Sequence, residues 1–202
     1  MDLTLIIIII TVLVSIAAFE SPRLFDRLAL SPYVIIRNKE WHRIVTHGFI
    51  HANWAHLLIN MLVLYSFGQS LMYYLGWCSE KYIIHYLFIY FGGMVFATIT
   101  TIAKHRNNYA YRGIGASGAV SAVMFACIFF APWSELLLMA VIPVPGIIFA
   151  VLYLFYCSYM SRKANDNINH DAHFYGAVFG FIYPVLIDPL LWKLFMQQLL
   201  NP

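Results

Sequence analysis

Charge is what this sequence has least of. Only 10% of its 202 residues are Asp, Glu, Lys or Arg and 62% are hydrophobic, whereas soluble domains carry roughly 25% charged and about 45–50% apolar residues. A soluble globular domain is therefore excluded, and with a mean hydropathy of +0.75 the chain reads as a polytopic membrane protein. No run of cations is present to track a phosphate backbone. The formal charge of +3 is spread over connecting segments, which argues against nucleic acid as a partner. Cysteine is scarce too. Cys78, Cys127 and Cys157 lie far apart, are odd in number, and form no Cys-x-x-Cys or Cys/His metal spacing. They read as buried or membrane-facing thiols, and neither a metal nor a cofactor is expected.

What is abundant is apolar sequence. A helix needs about 20 apolar residues to cross ~30 Å of hydrocarbon, and six segments come near that length: Leu3–Phe19, His51–Leu75, Tyr82–Ala103, Gly115–Ala131, Leu136–Tyr159 and His173–Trp192. The first could be a signal peptide, with small residues at Ser15-Ile16-Ala17, but it lacks a basic leader and favours an uncleaved span. Ser21–Ile50 is the longest connection; its Ser-Pro pairs, five cations and amphipathic stretches predict a partly helical interfacial loop. Pro143 and Pro145-Gly146 should kink or unwind the fifth span near mid-depth, which makes that span a candidate mobile gate. The fourth span is short and opens on small residues, as a helix beginning below the membrane surface would.

Polar groups at membrane depth are expensive and default to a functional reading. Ser117 sits in Gly113-Ile114-Gly115-Ala116-Ser117-Gly118 at the start of the fourth span. His56 and Asn60, four apart, share one face of the second. Both donate hydrogen bonds without a fixed charge, which suits an oxyanion in a low-dielectric site. His173 opens the last span, and Gly176 and Gly180 form a Gly-x-x-x-Gly face on it. Such a face lets backbones approach, as a short Ser–His hydrogen bond would require. Other readings stand beside these. Asn60 can serve as an interhelical hydrogen bond and the glycines as packing alone. His47 and His51 suit interfacial or structural roles; their spacing also matches a two-ligand metal site, but a third ligand in helical register is missing.

Taken together, His56-Leu57-Leu58-Ile59-Asn60, Gly115-Ala116-Ser117-Gly118 and His173 with Gly176 and Gly180 resemble, in order and spacing, the motifs of the rhomboid intramembrane serine proteases. The similarity runs from about Glu40 to Gly180 and implies an all-α membrane protein: a six-transmembrane-helix bundle of the bacterial type, with an interfacial loop between helices 1 and 2. It would form a single domain over residues 1–202 with a core at about 40–192. The family's Trp-Arg pair is matched in part by Trp41-His42-Arg43, which makes Arg43 a supporting residue alongside Gly115, Gly118, Gly176 and Gly180. Two positions depart from the pattern. Leu71-Met72 stands where a Leu-Glu-like pair is usual, and Ser121 stands where many members place an aromatic beside the histidine.

The resemblance implies a serine endopeptidase acting on transmembrane protein substrates within the lipid bilayer. Ser117 would be the nucleophile and His173 the base, with His56, Asn60 and the Ser117 backbone N–H around the oxyanion. Asp171, two residues from His173, points elsewhere on a helix and is left out of the dyad. Two other classes compete: a catalytically silent relative that binds transmembrane helices, and a metal or haem protein built on His47, His51, His56 and His173. The resemblance implies a multi-pass protein of the bacterial inner membrane with its site toward the extracytoplasmic side. Counting cations points the other way, since most Lys and Arg lie in the loops on the serine side.

Overall fold

The computed structural model describes residues 2–138, 141–163, 166 and 168–201, and for Leu138 the backbone only. The chain folds as a helical membrane bundle. Helices α1 (Leu3–Glu20), α5 (Trp54–Cys78) and α6 (Tyr82–His105) are each long and apolar enough to cross a bilayer. Between α1 and α5, the interfacial loop is largely helical, as predicted: α2 (Pro22–Leu28), α3 (Pro32–Asn38), α4 (Arg43–Thr46) and a 3-10 turn (His47–Phe49). Each Ser-Pro pair starts a helix there, because proline at the first helical position lacks an N–H that would be unpaired anyway.

Arg43 holds this loop together. Its buried guanidinium donates to the Ala29 carbonyl at 2.9 Å and to the Asp26 carbonyl, and pairs with Glu40 at 2.8 Å. The same guanidinium holds the Glu40 carboxyl below the usual carboxylate range.

Helix α7 (Ser117–Phe130) is the centre of the bundle, and every residue from Gly118 onward is buried. At 14 residues and about 1.5 Å per residue it is too short to span the hydrocarbon, consistent with the short fourth span read from the sequence. Helices α5, α6 and α9 (His170–Ile187) pack around it.

The fifth predicted span is corrected. Residues 139 and 140 lie outside the described residues, but the flanking chain forms an antiparallel hairpin, β1 (Glu135–Leu138) against β2 (Ile142–Pro145). Pro143 and Pro145 therefore sit before the helix and do not kink it. Two apart, they leave the same side of a two-stranded ribbon without donors, a position where proline is tolerated. Helix α8 (Gly146–Lys163) then runs without an internal proline, so proline gives no basis for a mobile gate. The last span also differs. Asn169 caps it by accepting from Ala172 N at 3.1 Å, so the helix opens at His170 and His173 lies within its first turn. It breaks at Asp188-Pro189, and α10 (Leu190–Leu200), which carries Trp192, bends away by 118°.

Candidate active site

The segment leading to Ser117 is held mainly through its backbone. Leu30 and Gly113 exchange paired N–H···O bonds at 2.9 Å, Gly115 N donates to the His47 carbonyl at 2.9 Å, and Ala116 N donates to His51 Nε2 at 3.5 Å. Both histidines are thus structural supports. His47 is further tied through Nδ1 to the Arg43 carbonyl, and His51 through Nδ1 to the Ser15 hydroxyl, each at 3.0 Å. Gly115 has φ +102°, a conformation L side chains rarely adopt. A Cβ there would also lie 2.6 Å from His56 Cε1, so the glycine is required twice over, for its turn and for the histidine beside it.

Ser117 is the first residue of α7 and half-buried. The first helical hydrogen bond runs from Val120 N to Ala116 O, and no side chain caps the helix. The N–H groups of the opening turn therefore point at the serine end without helical partners. His56 reaches the same segment from α5 and lies over Gly115. Its helix is capped by Asn53, whose Oδ1 accepts from His56 N at 2.9 Å. Buried Asn60 donates one amide N–H to the His56 carbonyl at 2.8 Å, which leaves its other N–H to be used.

The glycine face on α9 meets α7 as the spacing predicted. A Cβ on Gly176 would collide with the Gly118 backbone, and one on Gly180 with the Ala122 backbone. His173 is half-buried one turn before Gly176. Among the described residues, no hydrogen bond joins its ring to Ser117; such bonds are often long without substrate and tighten when it binds. A cavity of about 30 Å³ opens beside the serine, lined by His47, Gly115, Ser117, Gly118, Asn169 and Ala172. That is room for a water molecule.

What orients His173 was not legible in the sequence. Its ring lies 6.4 Å from the Tyr153 ring and within 10° of parallel, an offset stack delivered from α8. The Tyr153 hydroxyl is 2.9 Å from Ser121 Oγ. Ser121 thus stands at the expected aromatic position and holds an aromatic from another helix in its place. Asn169 is a second support, an Asn just before an apolar run being a helix-start signal. Its amide donates to Thr101 Oγ1 at 2.8 Å and to Tyr111 Oη at 3.1 Å, which anchors the turn that carries His173. The carboxylate of Asp171 pairs with Lys104. Among the described residues, His47, His51, His56 and His173 do not converge as a ligand set, and the one such group is Cys157, His170 and His173.

Comparison with known proteins places the chain in a family. The Rhomboid domain family model matches residues 38–189. The chain is 32% identical over 152 residues to RHOMBOID-like protein 12, mitochondrial, of Arabidopsis thaliana, covering 70% of this chain and 45% of that protein. It is 28% identical over 154 residues to YdcA of Bacillus subtilis, named as a candidate rhomboid protease, covering 75% of this chain and 69% of that one. It is 28% identical over 156 residues to the human presenilin-associated rhomboid-like protein, mitochondrial, covering 72% of this chain and 38% of that one. The chain thus spans less than half the length of the plant and human relatives.

Proposed function

Given that the chain belongs to the rhomboid family and is a multi-pass membrane protein, we propose that it is an intramembrane serine endopeptidase cutting transmembrane segments of other proteins. The observation that carries this is the glycine-mediated contact of α7 with α9. It brings the helix that starts at Ser117 and the helix whose first turn holds His173 to backbone contact. In this reading His173 takes the Ser117 proton as Oγ attacks the scissile carbonyl, then returns it to the leaving amine. The tetrahedral oxyanion is met by the free N–H groups at the start of α7, by His56 from the Gly115 side and by the spare Asn60 N–H. Water that hydrolyses the acyl-enzyme enters by the cavity beside Ser117. A substrate helix must unwind locally to offer its carbonyl, since a helical peptide keeps its backbone hydrogen-bonded. Substrates with small or helix-breaking residues near the cut follow.

The domain is taken as the whole chain with its core at about 40–192. Its setting is proposed as a bacterial inner membrane with the serine facing the extracytoplasmic side, supported by the Bacillus relative; two of the relatives described above are named as mitochondrial. Cysteine accessibility reads the topology: position 105 labelled from outside and position 79 protected is the expected result, and the reverse pattern inverts the orientation. Activity itself is tested by incubating the purified protein in detergent with a single-span test substrate. Cleavage that disappears in both Ser117→Ala and His173→Ala is expected. Cleavage surviving in Ser117→Ala overturns the mechanism. Binding of the substrate helix without any cleavage by the native protein would favour a silent, helix-binding relative.

A further inference from the structure

Around His173 the chain gathers a cluster of which the proposed proteolysis uses only one member. Cys157 on α8 and His170 and His173 on α9 place one ligand-capable atom each within 4.8 Å of one another. Cys157 and His170 are buried, at 0% and 3% exposed. The two histidines are three apart in the first turn of α9 and so share a helix face. Their rings meet at 71° with centroids 6.1 Å apart.

His170 is the informative member. Its Nε2 is 3.2 Å from both carboxylate oxygens of Asp166, while its Nδ1 is buried and has no partner among the described residues. A carboxylate accepting from Nε2–H fixes the tautomer and leaves the Nδ1 lone pair free. This is how histidine ligands are oriented by a carboxylate behind them. A buried lone pair without a donor is costly unless something fills it.

We propose that Cys157, His170 and His173 form a binding site for a zinc-class divalent cation, and that occupancy inhibits the protein by capturing the catalytic base. One thiolate and two imidazoles form a three-ligand set that zinc accepts, with a fourth position left for water. Zn–N bonds of about 2.0–2.1 Å and Zn–S of about 2.3 Å put tetrahedral ligand atoms about 3.3–3.6 Å apart, so the three side chains close by roughly an ångström on binding. The Cys157 thiol gives up its proton to solvent as the Zn–S bond forms, and no electron is transferred. A neutral imidazole has one lone pair; with it on the metal, the other His173 nitrogen carries the proton and cannot accept one from Ser117.

The inhibitory half rests on the proposed dyad; the binding half does not, and the test separates them. Untagged, metal-free protein in detergent is titrated with Co²⁺ alone and read by its absorption spectrum. Thiolate-to-cobalt charge-transfer absorption is expected in the native protein and in Ser117→Ala, absent in Cys157→Ser, and displaced by Zn²⁺. Absence of this band in the native protein, or its persistence in Cys157→Ser, overturns the site. His170→Asn provides a second variant should Cys157→Ser not fold, with the same loss expected. For inhibition, stoichiometric Zn²⁺ should lower cleavage of a single-span substrate at least tenfold, reversibly with chelator, and leave active Cys157→Ser unaffected. A cobalt band with cleavage unchanged by Zn²⁺ would keep the site and overturn its inhibitory role. Cleavage without any cobalt band would remove the site and leave the protease reading intact.

Discussion

The two halves of the candidate site are built by different means. Ser117 is held by backbone: paired bonds between Leu30 and Gly113, the Gly115 N–H on the His47 carbonyl, and a glycine whose φ of +102° few residues could adopt. His173 is surrounded by side chains, with Tyr153 beside its ring, itself tied to Ser121, and with Cys157 and His170 close by. A backbone frame resists substitution and fixes a serine where charge develops. A side-chain frame is easier to rebuild from a different helix, and Tyr153 standing in for an aromatic at position 121 is an instance. The difference also explains why the base, and not the nucleophile, is the member that a metal could reach.

Variants can break that contrast, and the largest effect should fall on the joint between the halves. Gly176→Leu drives a side chain into the Gly118 backbone, where no rotamer can relieve it. Overpacking typically costs about 1–3 kcal/mol and more against backbone; thermal unfolding in detergent should show a collapsed or strongly destabilised bundle. Gly180→Ala adds a single methyl, but its Cβ would sit 2.0 Å from the Ala122 carbonyl oxygen, so it too should reach or exceed the top of that range. Next comes the loop frame. Arg43→Ala strips the Ala29 and Asp26 carbonyls of their buried donor and should cost about 1–3 kcal/mol of stability, with Arg43→Lys restoring part of it.

The histidine frame should respond more gently and in kinetics rather than folding. If Tyr153 positions His173, Tyr153→Ala should lower kcat by about 10–100-fold with KM little changed. Tyr153→Phe keeps the ring, loses the Ser121 contact, and should stay within a few-fold of native. Equal losses in both variants would assign the effect to the hydroxyl and not to the stack. The smallest effect belongs to the exposed edge of the loop. Because Arg43 depresses the Glu40 pKa, the pair stabilises above the ordinary carboxylate pKa and is lost as pH falls through the lowered value. The difference in Tm between native and Glu40→Gln should therefore be modest near neutrality, since the Glu40 side of the pair is part-exposed while Arg43 keeps its carbonyl partners, and vanish in acid.

Much of this was readable beforehand, for physical reasons. α1, α5 and α6 announce themselves as long apolar runs, and Ser117, His56, Asn60 and the α9 glycines recur at spacings that place each on a single helix face. The hairpin before α8 is not legible because Pro143 and Pro145 within an apolar stretch suit a kinked membrane helix as well as an edge ribbon. The start of α9 lies three residues before the expected His173, because the Asn169 cap sits in a polar link where many residues could serve. Tyr153 could not be found at all from pattern. Its partners at 121 and 173 are on other helices, and stacking across helices leaves no periodic trace. The Cys157–His170–His173 cluster was hidden in the same way, since two elements meet to form it.

The central claim is that His173 activates Ser117, and covalent labelling tests it most directly. Native protein treated with a serine-directed fluorophosphonate should carry one adduct, located on Ser117 by mass spectrometry, and His173→Ala should lose it while remaining folded by its thermal transition. An adduct on another residue, or undiminished labelling of Ser117 in folded His173→Ala, would contradict the account.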